Sequence, residues 1–176
     1  ENYTIPFSTP FILTGTGSDA DGDAITYCWE QNDSATSTSL SKSFAYPEKP
    51  DGPMFRSLVP SESPIRYMPS LSTVVQNRLT TKWESVSSVA RTLHFTLTGR
   101  DNNATLNNTP QTNTDEMTVV VSSTVGPFLL SSQNTTDIGW QNGSGQTITW
   151  NVNNTNSLPG SSNVDIRLST DGGLTF

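Results

Sequence analysis

The stretch Ala24–Ile25–Thr26–Tyr27–Cys28–Trp29–Glu30 decides how this chain is read. Ile25, Tyr27 and Trp29 fall on one face and Thr26, Cys28 and Glu30 on the other. A period of two is that of a strand half buried on a core. The same period returns at Leu93, Phe95 and Leu97, which alternate with His94, Thr96 and Thr98. Residues 117–121 are apolar enough to predict a strand buried on both faces. Phe11, Ile12 and Leu13 open a further strand, closed by Gly15 and Gly17. Between these runs, 32–43 is a polar, Ser/Thr-rich loop. Residues 47–70, broken by Pro47, Pro50, Gly52, Pro53, Pro60, Pro64 and Pro69, read as an irregular insertion.

Gly126–Pro127 marks a boundary. Strand patterns follow at 128–130, 148–152 and 164–168. The fold class expected is all-β: a tandem β-sandwich of the Ig-like, fibronectin III-like or cadherin-like kind. One domain covers 1–125 and is decorated by 47–70; a second covers 126–176. The second span is about half of the ~100 residues of a usual sandwich, so it is expected to be incomplete and the chain a piece of a larger protein.

Composition supports this reading. The chain has 176 residues, with 24 Ser, 26 Thr and 15 Asn, against 32% hydrophobic and 14% charged residues. Four Trp, four Tyr and seven Phe recur inside the alternating runs, which argues against a disordered chain. A Thr- and Asn-rich, Lys-poor chain points to an extracellular β protein, secreted or on a cell surface. A net charge of −7 disfavours nucleic acid as a partner. No apolar run approaches the ~18 residues of a membrane helix, so no membrane span is expected. No signal peptide or lipidation motif stands in this stretch. The lone Cys28 cannot form an internal disulfide.

Asp19, Asp21 and Asp23 place three carboxylates in five residues around Gly22. Such a cluster is either a solvated turn or a Ca2+ site, since calcium takes six to eight hard oxygens in irregular geometry. Asp101 and Asn103, just past the 93–97 strand, are expected to share the ion. Asp115 and Glu116 are weaker candidates. Ser169–Thr170–Asp171–Gly172–Gly173–Leu174–Thr175–Phe176 matches the Asp-box pattern, a hairpin turn in which Asp171 caps backbone N–H groups over a packed aromatic. Its role is read as structural.

Catalytic constellations are thin. His94 is the single histidine, so neither a helical zinc pair nor a second choice of triad base exists here. His94 reads as a strand residue with a satisfied hydrogen bond, and no enzyme activity is expected of this chain. Trp29 and Trp150, in alternating strands, are expected in the core. Trp83 and Trp140, in polar sequence, are the candidates for stacking on a glycan. Sequons stand at Asn2, Asn32, Asn103, Asn107, Asn134, Asn142 and Asn153.

Several segments, in this order, resemble the region after the catalytic domain in secreted reprolysin-like zinc metallopeptidases of Bacteroidetes. They are Tyr3–Thr4–Ile5–Pro6, Phe11–Ile12–Leu13–Thr14–Gly15, the run from Ser18 to Asp23, and Thr26–Tyr27–Cys28–Trp29–Glu30–Gln31. Phe55–Arg56–Ser57, Ser63–Pro64–Ile65–Arg66–Tyr67, Trp83–Glu84, Arg91–Thr92 and the run from Thr98 to Asn103 continue the likeness. Ile148–Thr149–Trp150 through Phe176 resembles the module that follows there. The resemblance implies an exported multidomain protein with a metalloprotease domain, Ig-like or cadherin-like sandwiches and a C-terminal sorting domain for type IX secretion. The protease motif is absent here, so no catalytic residue carries over. Asp33–Ser34–Ala35 fits the pattern that Bacteroidetes use for O-glycosylation, with Ser34 as acceptor.

The function expected is that of a non-catalytic accessory module, binding or spacer, Ca2+-stabilised, whose partners are the rest of its own multidomain chain and a glycan or protein substrate. The alternatives are a carbohydrate-binding module and a segment of a cell-surface adhesin.

Overall fold

In the computed structural model, residues 2–35, 43–103, 109–173 and 175–176 are described. Nearly all regular structure is strand: β1 (Tyr3–Ile5), β2 (Phe11–Thr14), β3 (Thr26–Gln31), β4 (Ile65–Met68), β5 (Arg91–Arg100), β6 (Thr112–Val121), β7 (Leu129–Leu130) and β8 (Trp150–Asn151). One helical turn, α1 (Leu71–Val74), follows β4. The all-β expectation holds at this level.

One sheet has the order β1-β6-β5-β3. β1 runs parallel to β6 and the other pairings are antiparallel. The register places Trp29 beside Leu97, Phe95 beside Met117, and Leu93 beside Val119. These cross-strand pairs build one apolar face, and neighbouring side chains at about 5 Å stabilise it. β2 and β4 form a separate antiparallel pair, with Phe11 opposite Met68 and Leu13 opposite Arg66. Both sheets feed a single hydrophobic cluster containing Leu13, Trp29, Met54, Phe55, Met68, Leu93, Phe95, Leu97, Val119 and Val121. Packed against this cluster, Phe11 of β2 lies edge-on to Phe95 of β5 at 5.9 Å and to Phe55 at 5.7 Å. Such edge-to-face pairs add about 0.5–1.5 kcal/mol each to area burial.

Two expectations change. Residues 47–70 do more than decorate: they contribute Met54, Phe55 and Met68 to the core and contain β4. A Pro-rich sequence hid β4 because only four residues, Ile65–Met68, pair with β2, so the strand signal is too short to stand out. The segment 117–121 is not buried on both faces, because Val120 points outward from β6 while Val119 and Val121 are buried. Conversely, β3 is covered on both sides: Trp29 enters the core, and Cys28 is buried with its thiol against the Leu58 carbonyl. Burial pushes that thiol above its ordinary value.

Beyond Gly126 the structure is sparser. β7 and β8 pair over two residues each. Phe128 packs near Trp150, with centroids 6.0 Å apart. Trp150 is half-buried there and lies outside the main cluster. The expected strand at 164–168 does not form, and its alternating Val164, Ile166 and Leu168 are 46%, 62% and 72% exposed. Gly126 joins the two parts with φ +99, and a side chain there would overlap Pro6. Only glycine fits both the conformation and the approach.

Candidate functional site

A groove of about 570 Å³ lies between residues 53–57 and the turn that carries Trp83. The turn is defined locally. The Thr81 amide donates to the Glu84 carbonyl at 2.7 Å, and the Thr81 hydroxyl accepts from the amides of Trp83 (3.2 Å) and Glu84 (3.1 Å). A threonine bonding the backbone two and three residues on is a common device of such turns. It throws Trp83 outward, 54% exposed, and turns Glu84 inward.

Glu84 anchors the turn. Its carboxylate meets the Arg66 guanidinium at 3.0 Å, with both side chains buried, and also accepts from the Ser70 amide at 3.1 Å. Arg66 donates as well to the carbonyls of Trp29 and Arg56. Satisfying a buried pair with further hydrogen bonds is what makes its burial tolerable. The opposite wall is fixed by Gln31, whose side-chain oxygen accepts from the amides of Met54 and Phe55. The Arg56 amide then donates to the Trp83 carbonyl at 3.1 Å. Arg56 and Lys82 bring their charges over the indole, 5.1 Å and 5.3 Å from the ring centroid. Phe44 and Phe55 supply apolar lining.

Trp140 is also exposed, at 46%, and does not line this groove. The sequence pointed to Trp83 but missed Arg56, Lys82 and the Gln31 brace. Lys82 adjoins Trp83 in sequence; Arg56 comes from the stretch read as irregular.

The acidic segments do come together. The Asn103 side-chain nitrogen donates to an Asp23 oxygen, bridging 80 positions of sequence. Asp19 accepts from the amides of Asp21 and Asp23, both at 2.9 Å. Asp101 is buried and accepts from the amides of Asn103 (3.2 Å) and Gln111 (2.9 Å). Among the described residues no three His, Cys, Asp or Glu side chains gather as metal ligands. In this arrangement the Asn103 side chain turns its nitrogen, not its oxygen, toward Asp23. Asp115 lies opposite Leu97 on β6, and Glu116 follows it on the same strand.

His94 sits on β5 with its Nδ1 2.7 Å from Asp33 Oδ1. Asp33 also accepts from the His94 amide and from Gln31, and lies 4.0 Å from Arg91. Arg91 in turn donates to the carbonyls of Lys49 (2.9 Å) and Gly52 (2.7 Å). This network clips the 43–53 segment to the sheet. Lys49, buried, donates to the carbonyls of Ser43 and Pro53. Burial, reinforced by the Arg91 cation, holds its ammonium below the usual lysine value. Ser34, next to Asp33, is exposed.

The Asp-box turn forms locally. Asp171 accepts from the Thr175 amide at 3.0 Å and its hydroxyl at 2.6 Å, while Ser169 accepts from the Gly173 amide at 2.7 Å. The flanks are not paired strands and Phe176 is exposed rather than packed beneath, because no sheet stands there to receive it. Leu174 lies outside the described residues, as does the sequon Asn107. The Asn153 side-chain nitrogen is already engaged, donating to the Pro127 carbonyl at 2.6 Å.

No protein-family model and no curated protein matches the chain. A solved structure, that of a nucleoside hydrolase-related hypothetical protein from Saccharophagus degradans associated with carbohydrate metabolism, is similar over 69% of this chain and 22% of that one. The two share 17% identity at a TM-score of 0.38. At that level neither fold nor activity transfers. Among the described residues no helix is long and apolar enough to cross a membrane.

Proposed function

We propose that this chain is a non-catalytic accessory module of a secreted or cell-surface multidomain protein, with residues 1–125 arranged as a two-layer β-sandwich. The observation that carries it is how the buried charges are used. Arg66, Glu84, Asp33, Arg91 and Lys49 bind backbone and one another across the core, and His94 is held by Asp33. Groups spent in this way brace a rigid unit. The test is turnover by the purified chain on peptide and glycoside substrates, with and without zinc and chelator. Turnover that His94→Gln abolishes would overturn the proposal.

The parent assigned by this reading is a reprolysin-like zinc metallopeptidase exported by the type IX route, and it rests on the resemblance alone. Reading the coding sequence before residue 1 tests it: an H-E-x-x-H motif is expected, and an adhesin repeat array in its place would favour the adhesin alternative. Calcium stiffening of the Asp19–Asp23 turn rests on sequence spacing and is tested by melts in EDTA and in CaCl2, with MgCl2 as control. A calcium-specific rise of several degrees that Asp21→Ala removes supports it; no shift sinks it. Glycosylation at Ser34 is tested by mass spectrometry of the protein from its native host.

A second reading, carbohydrate binding, is favoured by one observation: Trp83 is displayed in a groove rather than packed in the core. Binding to any polysaccharide that Trp83→Ala abolishes is the result expected of it.

A further inference from the structure

The Trp83 groove concentrates positive charge on a chain whose net charge is −7. Resting on the carbohydrate-binding reading, we infer that the groove takes an anionic saccharide, a sugar chain bearing carboxylate or sulfate groups. Trp83, 54% exposed, provides apolar surface for the sugar, and Arg56 and Lys82, which lie over its ring, receive the anion.

Arg56 and Lys82 are exposed, and among the described residues neither has a carboxylate partner. Of the acidic groups nearby, one is paired with a cation and the other bonds a hydroxyl. Glu84 faces inward to Arg66, and Glu30 accepts the Ser57 hydroxyl at 2.6 Å. The two cations are nonetheless positioned before any ligand arrives, because the negative face of the indole attracts them. Backbone bonds fix their bases as well: the Arg56 amide to Trp83, and the Thr81 turn under Lys82. A neutral sugar would use Arg56 and Lys82 only as donors to its hydroxyls and leave their charge without a counter-charge. An acidic sugar uses all three groups, since a guanidinium fork matches the paired oxygens of a carboxylate or sulfate. Phe44, 44% exposed, adds apolar surface to the groove.

The overall acidity sharpens the argument. A polyanion is repelled by the chain as a whole, so general electrostatic attraction does not produce binding, and only a local site does.

The experiment is calorimetric titration of the chain with four probes: oligogalacturonate, a sulfated galactan, a neutral xylan and poly-glutamate of similar length. Binding to oligogalacturonate or to the sulfated galactan is expected, and which of the two binds identifies the source of the anion. Arg56→Gln and Lys82→Gln should each weaken it about tenfold or more, the size of a lost charge-assisted hydrogen bond. All three groove side chains are exposed, so the variants should melt as the parent does, which separates lost binding from lost folding. Xylan binding that Trp83→Ala abolishes and Arg56→Gln leaves intact overturns the inference while the carbohydrate reading stands. Poly-glutamate bound as tightly as the glycans overturns the saccharide part. Failure of the folded chain to bind any polysaccharide removes both.

Discussion

Leu93, Phe95 and Leu97 alternate with polar residues and are 1%, 1% and 8% exposed; Val164, Ile166 and Leu168 alternate in the same way and lie mostly in water. The two patterns are equivalent as sequence. They differ in what surrounds them. β5 has β3 on one side, β6 on the other, and β2 with Phe55 across its apolar face. Among the described residues, no strand stands beside 164–168. Alternation gives a segment one face to bury, but strand formation also requires ladder partners and an opposing layer, because unpaired backbone stays with water.

The largest effect should separate these two regions directly. Phe95→Ala is expected to cost about 3–5 kcal/mol in urea unfolding. Ile166→Ala should stay within about 0.5 kcal/mol. Equal losses at both sites would break the comparison. Glu84→Gln should cost about 3 kcal/mol, since it leaves the Arg66 guanidinium buried without its counter-charge. A change under 1 kcal/mol would mean that the pair is not closed in solution.

Kinetics offer a third contrast. Limited proteolysis should cut within 126–176 first, while Cys28 stays unreactive to iodoacetamide in the remaining fragment, being buried with its thiol pushed up. Rapid alkylation of Cys28 in the native protein would show β3 to be as open as the later segment.

The smallest effect concerns Lys49. Its folded-state value lies below the unfolded one, so the unfolded chain holds the proton more tightly. Stability from this residue therefore rises as pH climbs from the depressed value towards the ordinary lysine value of about 10.4. The stability of Lys49→Gln, compared with the parent between pH 8 and 10, should rise less over that range. A parallel pair of curves would refute the depressed value.

Period-two runs found β3 and β5, short apolar runs found β2 and the apolar end of β6, and the polar context of Trp83 marked it as exposed. The same reasoning missed β4, whose four residues stand between Pro64 and Pro69. It missed Arg66 and Glu84 as a pair, because nothing in a sequence signals that residues 18 positions apart meet in a core. Asp23 and Asn103 were expected as neighbours and do meet, through the Asn103 amide nitrogen.

By itself the sequence determined the strand periodicity, the all-β class, the net acidity and the turn chemistry at Asp171, since these depend on composition or on residues within a few positions of one another. Only the tertiary structure decided which alternating runs become strands, which charges are buried, and that Arg56 and Lys82 meet over Trp83. Those outcomes depend on contacts between segments far apart in the chain, where pairing and desolvation, rather than local preference, set the energy.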